Sequence, residues 1–327
     1  MPESSVEREA AVEKQSVRAD DVEQSIYLRG SAEKAKEGFK GESGRYHLYA
    51  SLACPWAHKT LIARRLKGLE AAVTCTIVDW AMEEAKGWEF SDRGPWCTPD
   101  INGCRYMRQV YSLASCGRAD DGYSGKVTVP VLWDKSTKKI ISTESADIVR
   151  LFNANFEDLC ETEEQRSLDL RPKNLVAEID ELNSWISTDL NHGVYAAGLA
   201  ATQVEYDEAV ARVFSAIDRA ELILAGKRYL TGSSLTEADL GLFVTLVRFD
   251  AVYVGLFKCN RKRIVDYPKL WPYVRDVFQS DGVGSTVDME HIKKHYETSL
   301  RKINPSGIVS AVPDIDFRLP HSRHLIG

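Results

Sequence analysis

The spacing of apolar positions changes along this chain, and the changes mark out its parts. Arg45-Tyr46-His47-Leu48-Tyr49-Ala50 alternates in the manner of a strand, and residues 57 to 69 then set Leu61, Ile62 and Leu66 on one helical face with Gly68 near the stop. Val73 to Val78 reads as a second strand. Residues 79 to 125 are rich in Gly, Trp and charge and show no clear period, the signature of a long functional loop. Lys126 to Asp134 is an apolar, β-branched run interrupted by Pro130, which places that proline at the strand's start or the strand at a sheet edge. Ile140-Ile141 is a further short strand, and a helix follows from Ala146 to Phe152. From Thr162 the period is helical. Leu175, Ile179, Leu182 and Ile186 stay in register over Lys173 to Ser187, a second helix covers Asp207 to Leu224, and Leu235-Thr236-Glu237-Ala238-Asp239 opens an apolar one. Thr236 and Asp239 form a capping pattern there, with Leu235 as its hydrophobic staple. The pattern predicts an α/β half followed by an all-helical half. The expected boundaries are an arm at 1–25, a mixed domain at 26–160, a helical domain at 161–302 and a tail at 303–327.

Composition narrows the functional classes. With 327 residues and 44% apolar content the chain can fill two cores. A net charge of −6 argues against nucleic acid or an anionic membrane as partner, and Arg261-Lys262-Arg263 is too short a cluster to reverse it. No apolar stretch reaches the roughly 20 residues needed to cross a bilayer. Glu3, Glu7, Glu9 and Glu13 fit neither a signal peptide nor a transit peptide, and seven cysteines without a framework pattern fit a reducing compartment, so a cytoplasmic location is expected. Cys97, Cys104 and Cys116 form no Cys-x-x-Cys pair and have no histidine nearby, which argues against zinc or another metal.

The chemistry concentrates at Cys54-Pro55-Trp56-Ala57. A cysteine between a strand and a helix faces the first-turn N–H groups, which have no intrahelical acceptors, and these with the helix dipole predict a lowered thiol pKa. The pattern is similar to that of thioredoxin-like redox proteins, whose dithiol form carries a second cysteine where this chain has Ala57. A mixed disulfide at Cys54 must then be resolved by an external thiol, for which glutathione is the natural supplier. His58 shares a helix face with Cys54 and would raise the local potential if protonated, or else cap or pack. In thioredoxin-like folds the residue before a cis-proline offers its backbone to glutathione, here Val129. Glu144 and Ser145, opening a helix, suit the ammonium and carboxylate of an amino acid, and they also suit an ordinary cap.

A small α/β half before a helical half with this buried-looking cap resembles the glutathione transferases. Several segments narrow the resemblance to the glutathionyl-hydroquinone reductases, or Xi class, which are Omega-like. They are Tyr49 to His58, Gly87-Trp88-Glu89-Phe90, Tyr106 to Tyr111, Val127 to Asp134, Glu144-Ser145-Ala146, Asn191 to Tyr195, Arg248 to Tyr253, His291 to Tyr296 and Asn304 to Ile308. Two departures stand near them: a small insertion at Ser115 to Arg118, and Ser142-Thr143 where the family has an Asn pair. The resemblance implies a thioredoxin-like N-terminal domain, a helical C-terminal domain and a homodimer. It implies glutathione as co-substrate and glutathionyl-hydroquinones as substrates, with Cys54 the nucleophile that forms a mixed disulfide. The ring carbon must gain a proton as its bond to sulfur breaks, which a phenol able to tautomerise allows. Trp88, Arg108, Val129, Glu144 and Ser145 are then the glutathione candidates, and Tyr195, Tyr253 and Tyr296 the hydroquinone candidates. The alternatives are an Omega-type thioltransferase or dehydroascorbate reductase, and a non-catalytic interaction module on the same scaffold.

Overall fold

The computed structural model describes residues 39–83, 86–120 and 122–326, so the arm expected at 1–25 lies outside the described residues. The first half runs β1 (Tyr46–Ala50), α1 (Pro55–Leu66), β2 (Thr74–Ile77), β3 (Met82–Glu83), β4 (Gly87–Trp88), α2 (Met107–Cys116), β5 (Val131–Asp134), β6 (Lys139–Ser142) and α3 (Ser145–Ala154). The four longer strands form one sheet in the order β2-β1-β5-β6, with β1 parallel to β2 and antiparallel to β5. Every residue of β1 and β5 is buried, so the central strands carry apolar side chains on both faces where a one-sided sheet would alternate. Pro130 precedes the first residue of β5, and the Val129–Pro130 peptide is cis. Since β5 pairs on both sides, the proline marks the strand's start and not an edge.

Two expectations from the pattern need correction. Helix α1 stops at Leu66, because Gly68 takes a left-handed φ of 59° and turns the chain toward β2. The stretch 79 to 125 is also not loop throughout. Met107, Val110, Tyr111 and Ala114 bury one face of α2 at helical spacing, and the Gln109 side chain caps its start by accepting from the backbone N–H groups of Arg105 and Tyr106. Flanking glycines and charge hid that short helix.

The helical half comprises α4 (Glu163–Ser167), α5 (Val176–Trp185), α6 (Gly193–Gly198), α7 (Gln203–Ile223), α8 (Glu237–Arg248), α9 (Leu270–Gln279) and α10 (Met289–Ser299). Helix α8 is buried along its whole length, and its predicted cap is present. Asp239 accepts from the N–H and hydroxyl of Thr236, the N–H of Leu230 and the hydroxyl of Tyr273. At its start Glu237 is shared by Arg150 of α3 at 2.9 Å and Arg171 at 2.6 Å, which ties the two halves together. The chain after α10 returns along the helical half. Asn304 donates to the carbonyl of Glu297, Ser310 Oγ bonds the carboxylate of Glu297, and the buried Arg323 donates to the carbonyls of Leu224, Lys227 and Arg228 beyond the end of α7.

Candidate active site

Cys54 sits at the N-cap of α1, half-buried, with its thiol 3.6 Å from the carbonyl of Val129. The strand-to-helix turn and the cis-proline turn thus meet at the sulfur. The N–H groups of Trp56 and Ala57 pull the thiol pKa down, as do the charges of Arg248 and Lys59. Burial outweighs them and pushes it above its ordinary value. The lowered pKa expected from helix position is therefore corrected: desolvation penalises the thiolate more than the first-turn amides favour it.

His58 does not act as a protonated neighbour. It is fully buried, and burial beside Arg248 drives its pKa well down. Arg248 can only donate, so His58 Nδ1 accepts from it at 2.9 Å and the ring proton rests on Nε2, 2.8 Å from the Thr286 hydroxyl. The ring is a neutral strut between domains.

Three phenols close the site from the helical half. Tyr195 and Tyr296 meet hydroxyl to hydroxyl at 2.5 Å, and Tyr253 meets Tyr296 at 2.9 Å. Burial pushes all three pKa values well above the ordinary phenol value, so the chain is neutral. Its two contacts engage at most two of the three hydroxyl protons, which leaves one for a ligand. Tyr195 is the most exposed of the three, lies tilted against Trp56 with ring centres 5.5 Å apart and couples electrostatically to Cys54. Two local widenings of the helical path set these positions: π-turns at Ile186–Asn191, just before α6, and at Phe249–Tyr253, which ends on Tyr253 itself.

The remaining glutathione candidates lie on other elements of the first half. Ser145 is buried at the start of α3, while Glu144 occupies the N-cap with an exposed side chain that makes no capping hydrogen bond. Its carboxylate remains available to a ligand. Trp88 stacks on His295 with ring centres 4.9 Å apart, and His295 in turn abuts Tyr296, so Trp88 joins the aromatic wall. Arg108 is half-buried and donates one arm to the carbonyl of Tyr123. No group of metal-ligating side chains stands together among the described residues.

Two contributors escaped the sequence reading. His295 donates from Nδ1 to the carbonyl of Trp80, and burial holds its pKa at about 4. Arg248 is fully buried beneath the cysteine turn. Its signal was present, a lone arginine ending a largely apolar helical run, but the run reads as core.

Comparison with known proteins identifies the family. The family described as "Glutathione S-transferase, N-terminal domain" matches residues 53–155, and "Glutathione S-transferase, C-terminal domain" matches residues 203–276. The chain is 50% identical to the glutathionyl-hydroquinone reductase YqjG of Escherichia coli (strain K12) over 88% of its own length and 84% of that protein's. It is 45% identical to the glutathionyl-hydroquinone reductase PcpF of Sphingobium chlorophenolicum, covering 84% and 85% of the two chains. The glutathione-bound structure of YqjG superposes with a TM-score of 0.81 at 49% identity, covering 88% of this chain and 90% of that one. A Xi class GST from Natrialba magadii gives 0.83 at 42% identity, with 89% and 88% covered. The chain belongs to the glutathione S-transferase family, in the branch that holds the glutathionyl-hydroquinone reductases.

Proposed function

We infer that the protein is a glutathione-dependent reductase that removes glutathione from S-glutathionyl-hydroquinones. The observation that carries the reading is a single thiol, with alanine and not cysteine at position 57, placed between the Val129 carbonyl and a chain of neutral phenols. An aromatic alcohol fits such a wall, since phenols offer both ring faces and hydroxyl partners.

In the first half-reaction the substrate ring takes a proton at the carbon bearing sulfur and becomes the keto tautomer. Cys54 thiolate attacks the glutathionyl sulfur, the sulfur–sulfur bond forms, and the carbon–sulfur bond breaks. Its electron pair passes into the ring carbonyl, giving a phenolate that is protonated to hydroquinone. In the second, a glutathione thiolate attacks the glutathione sulfur of the mixed disulfide and Cys54 leaves as thiolate. One aryl thioether is reduced and two glutathione units leave as the disulfide. Ser145 and Glu144 hold the γ-glutamyl end of glutathione, the Val129 backbone its peptide, and Trp88 and Arg108 its far side; Tyr195, Tyr253 and Tyr296 hold the hydroquinone.

The test is incubation with a glutathionyl-hydroquinone and glutathione, followed by mass spectrometry of the protein. Release of free hydroquinone, a glutathione adduct on the Cys54 peptide and loss of both in Cys54→Ser are expected, with ping-pong kinetics. An adduct on Cys97 or Cys104 in active enzyme refutes the assignment. A homodimer and a cytoplasmic setting complete the proposal. The second is supported by all seven cysteines being free, and the first is read by light scattering, where a mass near 36.7 kDa counts against it.

A further inference from the structure

Among the described residues Arg248 is the largest charged side chain fully removed from solvent, and its partners are unusual. Nε donates to the carbonyl of Ala53 at 3.0 Å, Nη2 to the carbonyl of Leu52 at 2.7 Å, and Nη1 to the carbonyl of Val244 at 2.7 Å and to His58 Nδ1 at 2.9 Å. All four acceptors are neutral, and among the described residues no carboxylate pairs with it. A buried cation without an anion costs several kcal/mol, so a fold that keeps one has a use for its field. The other cations differ in position: the buried Arg323 and Lys67 donate to carbonyls away from the thiol, and the half-buried Arg150 and Arg171 meet Glu237. Arg248 alone underlies the cysteine turn, and two of the three carbonyls it holds belong to the two residues before Cys54.

We propose that Arg248 is the positioning residue of Cys54: its fork fixes the Leu52-Ala53 backbone, and its charge is the counter-ion of the thiolate that leaves the mixed disulfide at the end of each turnover. The missing anion is thus one the reaction itself makes. Its neighbours are consistent with that role. Lys59, from α1, also favours the thiolate, but burial lowers its own pKa. His58 is held neutral, and Tyr195, the phenol coupled to the sulfur, is neutral as well. The first-turn amides of Ala57 and Trp56 favour the thiolate most, and Arg248 is the first of the charges that add to them. Arg248 also reaches across the whole site, since its charge favours the ionised forms of Tyr195, Tyr253 and Tyr296. The same field therefore accommodates the phenolate released in the first half-reaction.

The proposal rests on Cys54 being the nucleophile, and its test reads the thiol by alkylation and kcat by glutathione-dependent reduction of a small mixed disulfide, both without any hydroquinone. The wild type, Arg248→Lys and Arg248→Met are alkylated with iodoacetamide across a pH series, and the rate is followed on the Cys54 peptide. Peptide resolution is needed because Cys116 is exposed and its thiol pKa is lowered. In Arg248→Met the Cys54 profile should move up by about one pH unit or more, a roughly tenfold loss of rate at fixed neutral pH. Arg248→Lys keeps the charge and loses the fork, so its profile should stay near that of the wild type while kcat falls about tenfold or more. Circular dichroism and thermal melts separate these effects from unfolding, and where Arg248→Met does not fold, the Lys variant decides. A folded Met variant with an unmoved profile overturns the proposal, as does a Lys variant with wild-type kcat. A shifted profile in a protein inert toward glutathionyl-hydroquinones would instead refute the reductase reading and leave the role of Arg248 standing.

Discussion

At the scale of single residues, the site is a contest between burial and local polarity, and burial wins at the thiol and at the phenols. For Cys54 this means that position at a helix start is not enough to set the charge, although its amides, Arg248 and Lys59 all favour the thiolate. For the tyrosines it means that they act as neutral donors. Tyr195→Phe and Tyr296→Phe each break the 2.5 Å contact, and Tyr296→Phe also breaks the contact to Tyr253. A neutral hydrogen bond lost from a bound substrate costs about 0.5 to 1.5 kcal/mol, more when it strands a buried hydroxyl. Reduction of a glutathionyl-hydroquinone should therefore slow several-fold in Tyr195→Phe and further in Tyr296→Phe, with glutathione affinity unchanged. Thioltransferase activity toward a small mixed disulfide needs no ring tautomer and should persist. Equal loss of both activities would make the tyrosines structural.

At the scale of elements, what was legible in the sequence is what local rules control. The strand before Cys54, the helix after it and the Thr236–Asp239 cap were readable because each is fixed by neighbours within a few positions. Removing that cap tests how much rests on it: Asp239 is fully buried, burial raises its pKa, and four donors converge on its carboxylate. Asp239→Ala strands those donors and should lower unfolding free energy by about 3 kcal/mol or more, measured by denaturant titration. A change under about 1 kcal/mol would show the cap to be dispensable. What was not legible depended on distant partners. Helix α2 was missed because its apolar face is short and sits among glycines. The two π-turns have no local sequence rule and follow from packing. The Asn304 to Ile308 motif could be recognised only by resemblance. In the structure it holds the end of α10, the helix that carries His295 and Tyr296, through Asn304 and the Glu297 carbonyl. Arg248 and His58 meet across 190 positions of sequence, which no periodicity can foresee.

At the scale of the whole molecule, the joint between the two halves contains neutral imidazoles beside its ion pair, and they set its response to acid. His58 bridges Arg248 and Thr286, and His295 bridges Trp80 to the helix of Tyr296. His291 packs edge-on against Trp80 and Trp96 with both ring nitrogens buried and unbonded. Burial lowers the pKa of His47 and His295 to about 4 and that of His291 to about 3, and drives that of His58 well down. The unfolded chain binds these protons near pH 6.5, so it holds more protons than the native state everywhere between there and the folded values. Stability is then fully present above about pH 6.5 and falls as pH drops toward 4. At pH 5 each such histidine costs about 2 kcal/mol, against a total stability of about 5 to 15 kcal/mol. Asp147, Asp239, Asp250 and Asp288, whose carboxyl pKa values are raised by burial, oppose this trend, because the native state binds their protons more tightly than the unfolded chain does. Thermal melts should therefore show a Tm at pH 5 lower than at pH 7 by on the order of 10 °C. His291→Phe removes one of the titrating groups and an unsatisfied polar ring, so it should leave stability near pH 7 within about 1 kcal/mol and flatten the acid slope. A wild-type Tm that stays level from pH 7 to pH 5, or a His291→Phe variant with an unchanged slope, would show that these rings are not what holds the halves together at neutral pH.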